Sequence, residues 1–337
     1  MSITLKDVAE FAGVSMSTVS RVINQKGNIS EKTVQRVEQA IAQLMYKPSP
    51  TTELLRKRAY RIAVFAPGNP DLTVDGYHVG IDVSAVVSEI ERLGYTPIVT
   101  TLHYPNQSVQ NNIYTKIKSG EIDGVVICDS CDNDETKKLC RAYNVPFINT
   151  NGIGADDRES YVDFDNIDGA YQVMAYLTEM GHTHIGIISG PTYHEVTKNR
   201  LQGVYKAIDE LHLSKDNVKI VFSPYTIEGG EAAAKQLLKD KKITAIFAFS
   251  DRLAISAMTA LRANHVSVPD DISLVGFDDV EICRCVEPQL TSVKRYTENI
   301  SSVIIRSLID LIDNHNIKKV QILYGTTLVK RDSVKAL

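Results

Sequence analysis

Met16, Ser17, Ser20 and Arg21 bring a thioether, two hydroxyls and a guanidinium together in a span of six positions. On the outer face of one helix, such groups can meet base edges and phosphates, a chemistry of recognition rather than bond breaking. Residues suited to bond breaking do not assemble elsewhere. Cys128-Asp-Ser-Cys131 follows a strand-like run and Cys283-Arg-Cys285 adds two thiols, which together offer a redox pair or a four-thiolate zinc site. A Cys-x-Cys half is not a usual zinc spacing, so idle thiols are the expectation. His182 and His184 alternate at a strand start, a structural pattern, and no His-x-x-x-His pair occurs. Neither a Gly-x-Ser-x-Gly elbow nor a Walker loop is present. With no catalytic set, the chain is expected to be no enzyme and to use no metal or cofactor.

The elements that must position the outward group read as three short helices. Thr4 and Asp7 have capping-box spacing, and Val8, Ala9 and Ala12 then share one helical face. Gly13 ends that helix, because glycine takes a positive φ without steric cost. Val14 packs in the turn. Ser15 is a good N-cap for a second helix from Met16 to about Asn24, with Val19, Val22 and Ile23 inward. Gly27-Asn28 breaks the chain again, and Ser30 caps a third helix with Val34, Val37, Ile41 and Leu44 at helical spacing. A glycine turn between the first two helices is the pattern that lays the second in a major groove. Charge agrees. Residues 1–58 hold nine Lys+Arg and five Asp+Glu, whereas the remainder holds 28 and 36. A basic head on an acidic body confines any nucleic-acid contact to the head.

The whole chain is 337 residues with 43% apolar residues and a net charge of −4, which excludes a disordered or fibrous protein. No apolar run approaches a membrane span and no secretory apolar region is seen, so a cytoplasmic protein with no membrane partner is expected. Sparse cysteines fit a reducing compartment. Beyond residue 60, apolar runs alternate with helix-like stretches: Ile62–Ala66, Val79–Leu93, Pro97–Thr100, Val109–Lys118 and Gly124–Cys128. The alternation recurs from Tyr161, with strand-like runs at Ile185–Ile188, Val218–Val221, Ala245–Ala248 and Ile272–Val275. Such alternation predicts parallel sheets covered on both faces, and its length predicts two doubly wound lobes rather than one. A ligand would sit between them, at the carboxyl ends of the strands.

Leu5-Lys-Asp-Val-Ala-Glu-Phe-Ala-Gly-Val-Ser-Met-Ser-Thr-Val-Ser-Arg-Val-Ile-Asn24 resembles the signature of the LacI/GalR (lactose-repressor) family of bacterial transcription regulators. The resemblance implies base contacts by Met16, Ser17 and Arg21. Arg21 suits a guanine edge, Ser17 is sequence-tolerant, and Met16 offers a thymine methyl an apolar contact. Ser15, Thr18, Ser20 and Asn24 are better suited to phosphates. Tyr46-Lys-Pro-Ser-Pro50 interrupts the third helix, and the resemblance implies a hinge helix after it, ordered on DNA. Leu55 stands where the family wedges a leucine into the minor groove. Thr52 in place of the usual alanine and the acidic Glu53 depart from that pattern; Arg56, Lys57 and Arg58 can offset the charge.

The body resembles the same family at Gly181–Gly190, Ser250–Met258, Val268–Asp279, Pro288–Val293 and Leu328–Ser333. The fold implied is an all-α helix-turn-helix headpiece plus an α/β body whose two lobes are similar to periplasmic sugar-binding proteins. Expected boundaries are 1–47 for the headpiece, 48–60 for the hinge, and 61–337 for effector binding and dimerisation. Within the body, the first lobe is expected at about 61–162 plus 293–322 and the second at about 163–292 plus 323–337. The resemblance places Arg200, Asp251 and Asp278 in the effector cleft, with Asn151, Phe164 and Tyr225 at further matching positions. Arginine donors, carboxylate acceptors and a stacking ring suit a sugar. The loop Gly68–Tyr77 lies where specificity varies in the family. The implied partners are palindromic double-stranded operator DNA, a small effector (a sugar or a derivative), and a second copy of the chain, since one head reads one half-site. A purine-type corepressor would act with the opposite sign from a sugar inducer and stays open. A transport solute-binding protein and a sugar-processing enzyme are rival readings, opposed by the basic head and the missing catalytic set.

Overall fold

The computed structural model describes residues 4–23, 29–44, 46, 60–67, 82–102, 112–128, 134–150, 159–295, 298–314 and 316–337. The expected hinge with Thr52, Glu53 and Leu55, together with Asn24, Cys131, Asn151 and the loop Gly68–Tyr77, lies outside them.

The head is α1 (Leu5–Ala12), α2 (Met16–Ile23) and α3 (Glu31–Leu44). Thr4 and Asp7 form the capping box, and Gly13 sits at φ 62 and caps α1. The Ser15 hydroxyl accepts the Thr18 N–H at 3.1 Å to start α2, and Ser30 accepts from Thr33 at 3.3 Å to start α3. Each cap satisfies an N–H the helix itself leaves without a partner. Val8, Ala9, Ala12, Val19, Val37, Ala40 and Tyr46 close a small core.

The body opens with β1 (Arg61–Pro67), α4 (Val83–Arg92), β2 (Thr96–Leu102), α5 (Asn112–Ser119), β3 (Gly124–Ile127), α6 (Asp134–Ala142), β4 (Phe147–Asn149) and β5 (Tyr161–Phe164). It continues with α7 (Asn166–Glu179), β6 (Ile185–Ser189), α8 (Glu195–Glu210), β7 (Val218–Phe222), α9 (Ile227–Leu237), β8 (Ala245–Ala248), α10 (Asp251–Ala263) and β9 (Ser273–Asp278). Then come β10 (Thr291–Arg295), α11 (Ile300–Asp313), β11 (Gln321–Tyr324) and β12 (Thr326–Val329). Strand order is β11-β5-β4-β3-β1-β2 in the first sheet and β12-β10-β9-β8-β6-β7 in the second. Fully buried strands such as Gly124–Ile127, Ile185–Ser189 and Ala245–Ala248 explain why their apolar runs do not alternate: helices cover both faces. One strand departs from the parallel expectation. β12 runs antiparallel to β10, because Gly325 is the only residue between β11 and β12 and the chain enters the second sheet at its edge.

Sheet membership gives the first lobe Tyr161–Phe164 and Gln321–Tyr324, and the second lobe Thr291–Arg295. Two of the crossings between lobes lie side by side, one at Asp165 and one at Gly325. The Asp165 N–H donates to the Tyr324 carbonyl at 2.8 Å, and the Thr326 hydroxyl donates to the Asp165 carbonyl at 3.3 Å. The described chain passes between the lobes again after β10, on its way to α11. Among the described residues, no helix is long and apolar enough to cross a membrane.

Candidate nucleic-acid interface and ligand cleft

On α2, Val19 is fully buried, whereas Ser15, Met16, Ser17 and Arg21 are exposed and Thr18 and Ser20 half-buried. Ser15 ties the first turn together, sharing hydrogen bonds of 2.8 Å with both Ser17 and Thr18. The start of α2 therefore offers polar groups and the positive end of a helix to whatever lies outside. Met16 is 53% exposed, a high value for a large apolar side chain, and it lies on the same outward face. Arg21 has no ion pair among the described residues.

The candidate cleft residues gather at the carboxyl ends of strands from both lobes. Arg200, on α8, is fully buried. Its Nε donates to Asn166 at 2.9 Å, one terminal nitrogen donates to the Phe249 carbonyl, and the other lies 3.4 Å from Asp278 Oδ1. Its guanidinium stacks 3.7 Å from the centre of the Phe277 ring. Burial pulls its pKa down, and the Asp278 carboxylate opposes that pull. Asp278 ends β9 at φ 121 and Asp279 follows at φ 53, both in the left-handed region that non-glycine residues avoid. Arg331 pairs with Asp279 at 2.5 Å, and Ser292 accepts the Asp279 N–H at 3.1 Å, so the turn is held from both sides.

Asp251, at the start of α10, belongs to that support. One of its oxygens accepts the Val280 N–H at 2.9 Å and the other the Ser292 hydroxyl at 2.5 Å. Burial first, and the Asp278 charge second, push its pKa up to about 6. It reaches the cleft by shaping the Asp278 turn. Tyr225 is buried, with its hydroxyl 3.0 Å from Thr197 and its ring edge-on to His194 at 5.8 Å. Gly190 lets the ring in, because any side chain there would collide with it. Phe164 is buried at the end of β5, with the Arg295 guanidinium 5.1 Å from its ring centre.

The structure thus brings Phe164, Arg200 and Asp278 into one neighbourhood, with Tyr225, a neutral phenol, near Arg200 and Asp251 behind Asp278. Arg295, Asn166 and His194 were missed by sequence reasoning. Arg295 is a charge at the carboxyl end of a strand, the position where a ligand is expected in such sheets, and that signal was available. His194 gave none: burial alone pushes it down to about 4, so it is neutral. His182 bonds Thr244 at 2.9 Å and the Lys335 carbonyl at 3.1 Å, a structural role. Cys128 is in the core of the first lobe and Cys283 in that of the second, so these thiols do not meet.

A model of the bacterial regulatory proteins of the lacI family matches residues 4–49, and one of periplasmic binding protein-like domains matches 174–334. The HTH-type transcriptional regulator CelR of Thermobifida fusca is 31% identical over 98% of each chain. The chain belongs to the LacI family. Within the family it is also similar to the transcriptional repressor PurR of Actinobacillus pleuropneumoniae serotype 3, at 31% identity over 99% of each chain. Among solved structures, a CelR–cellobiose complex aligns with a TM-score of 0.74 at 29% identity, covering 98% of this chain and 99% of that one. A lac repressor dimer bound to operator and the anti-inducer ONPF aligns at 0.69 and 26% identity over the full length of both. The head and the two-lobed body are therefore the LacI-family arrangement.

Proposed function

We propose that this LacI-family chain is a sequence-specific operator-binding repressor whose occupancy of DNA is set by a saccharide-type effector held between the two lobes. The observation that carries this is the capped second helix, with Val19 inward and Met16, Ser17 and Arg21 outward, on a chain continuous with a two-lobed body. Met16, Ser17 and Arg21 read bases, while Ser15, Thr18, Ser20 and Asn24 set register on phosphates. Leu55 supplies the minor-groove wedge.

In the cleft, Arg200 and Asp278 address effector hydroxyls, Tyr225, Phe164 and Asn151 complete the wall, and Asp251 positions Asp278. The head spans 1–47, the hinge 48–60 and the body 61–337, with the lobe crossings moved by sheet membership from 162, 292 and 322 to just after Phe164, Arg295 and Tyr324. Two copies associate so that two heads meet a palindrome, in the cytoplasm where operators are, and no catalytic step is part of the role. Effector acts by binding the two conformations of the lobes with different affinity, since equal affinity shifts nothing.

A mobility shift with a palindromic operator library and excess nonspecific competitor tests the DNA half. Retardation of a specific subset is expected, and no shift even at low salt sinks the reading. A thermal-shift screen against sugars, sugar phosphates and purines tests the cleft. A ligand of the folded state raises the midpoint, and repeating the operator assay with that ligand gives the sign of control.

A further inference from the structure

Arg295 is the cleft residue whose neighbours do not account for it. It ends β10 in the second lobe, and its guanidinium lies over Phe164, which ends β5 in the first. Its side chain is 7% exposed. Its Nε is 3.2 Å from Asp278 Oδ1, yet that buried nitrogen makes no hydrogen bond, and among the described residues its guanidinium donates none. Asp278 is already engaged, because the same Oδ1 faces Arg200. The other nearby carboxylates are placed elsewhere. Asp251 holds Val280 and Ser292, while Asp163 accepts the Phe164 N–H at 2.7 Å and acts on Arg200 from a distance.

Two guanidiniums therefore converge on one carboxylate oxygen where the lobes meet, and among the described residues one of them keeps its fork of donors free of hydrogen bonds. That fork matches the paired oxygens of a carboxylate or a phosphate. A neutral hydroxyl would take one donor and leave a desolvated cation sharing its counter-charge.

We propose that the effector is a saccharide bearing an anionic substituent, carboxylate or phosphate, and that Arg295 selects it. The inference rests on the reading of this cleft as the effector site. Arg200 and Asp278 hold the hydroxylated ring, and Arg295 takes the anion at the seam between the lobes.

Isothermal titration of the full chain with matched sets (glucose and galactose, their uronates and their 6-phosphates) tests it. The uronate or the 6-phosphate of one set binds about tenfold or more tighter than its parent hexose, and the better of the two identifies the anion. Arg295→Gln abolishes that preference: within the variant, the anionic members bind no tighter than their parent hexose. Arg295→Lys, which keeps the charge without the fork, retains part of it. Arg200→Gln removes binding across the whole set. Equal binding of neutral and charged members overturns the inference and leaves the cleft in place, as does a preference that survives Arg295→Gln. If no member binds, or if binding ignores Arg200, the cleft reading falls and this inference falls with it.

Discussion

The head and the cleft use opposite means to place a few polar groups. In the head, the described residues proposed to contact DNA span Ser15 to Arg21, line one short helix and its cap, and are exposed or half-buried. Local chemistry suffices to position them: a cap, a turn and one buried valine. In the cleft, the residues span Phe164 to Arg295, come from many strand ends and helix starts, and are almost entirely buried. The second sheet must assemble before Arg200 meets Asp278, and both sheets before Arg295 meets Phe164. A local site tolerates substitution cheaply, whereas a site built from distant segments couples function to stability.

Arg200→Ala gives the largest effect expected. It leaves the buried Asp278 short of one cation and empties space beside Phe277, so stability falls by about 3 kcal/mol or more in urea unfolding, along with effector binding. Unchanged unfolding would break the contrast, because the cleft would then behave like a surface. Arg21→Ala sharpens the contrast from the other side. It loses about 1–3 kcal/mol of operator affinity at one base pair and leaves unfolding unchanged. Equal weakening on every operator variant makes Arg21 a phosphate contact instead. Ser15→Ala removes the cap and costs about 1 kcal/mol of head stability, read by hydrogen exchange in α1–α3 with no change in the body.

The smallest effect expected is a pH dependence that nearly cancels. Asp251 holds its proton up to about pH 6 when folded, against 3.8 otherwise, so it lowers stability as pH rises from about 4 to 6. His194 stays neutral down to about 4 when folded, against 6.5 otherwise, so it raises stability as pH rises through the same window. Relative to the parent chain, His194→Gln should therefore lose stability as pH rises from 4 to 6, and Asp251→Asn should gain it. Difference curves of urea midpoint against pH check both signs. Parallel curves for parent and variants would remove both groups from the account.

How much was legible follows the same division. Thr4, Gly13, Ser15 and Ser30 announced the head, because caps and turns act over three or four residues. Buried strands announced themselves as unbroken apolar runs. The antiparallel β12 did not, because its direction depends on where the chain re-enters a sheet assembled from segments far apart in sequence. Arg200 and Asp278 were reached only through a family resemblance, since nothing within ten residues of either predicts the other. Asp251 was reached the same way, and its oxygens are held by Val280 and Ser292, contacts that no spacing encodes.

The paired crossings at Asp165 and Gly325 have a mechanical consequence. Two ribbons joined by hydrogen bonds across their width resist twisting and sliding far more than folding along their common line. Folding about that line is therefore the motion of the lobes that these two crossings oppose least. Any ligand that seats against both lobes has its binding energy directed first into that motion, and a disturbance at one end of the molecule arrives at the other as an angle.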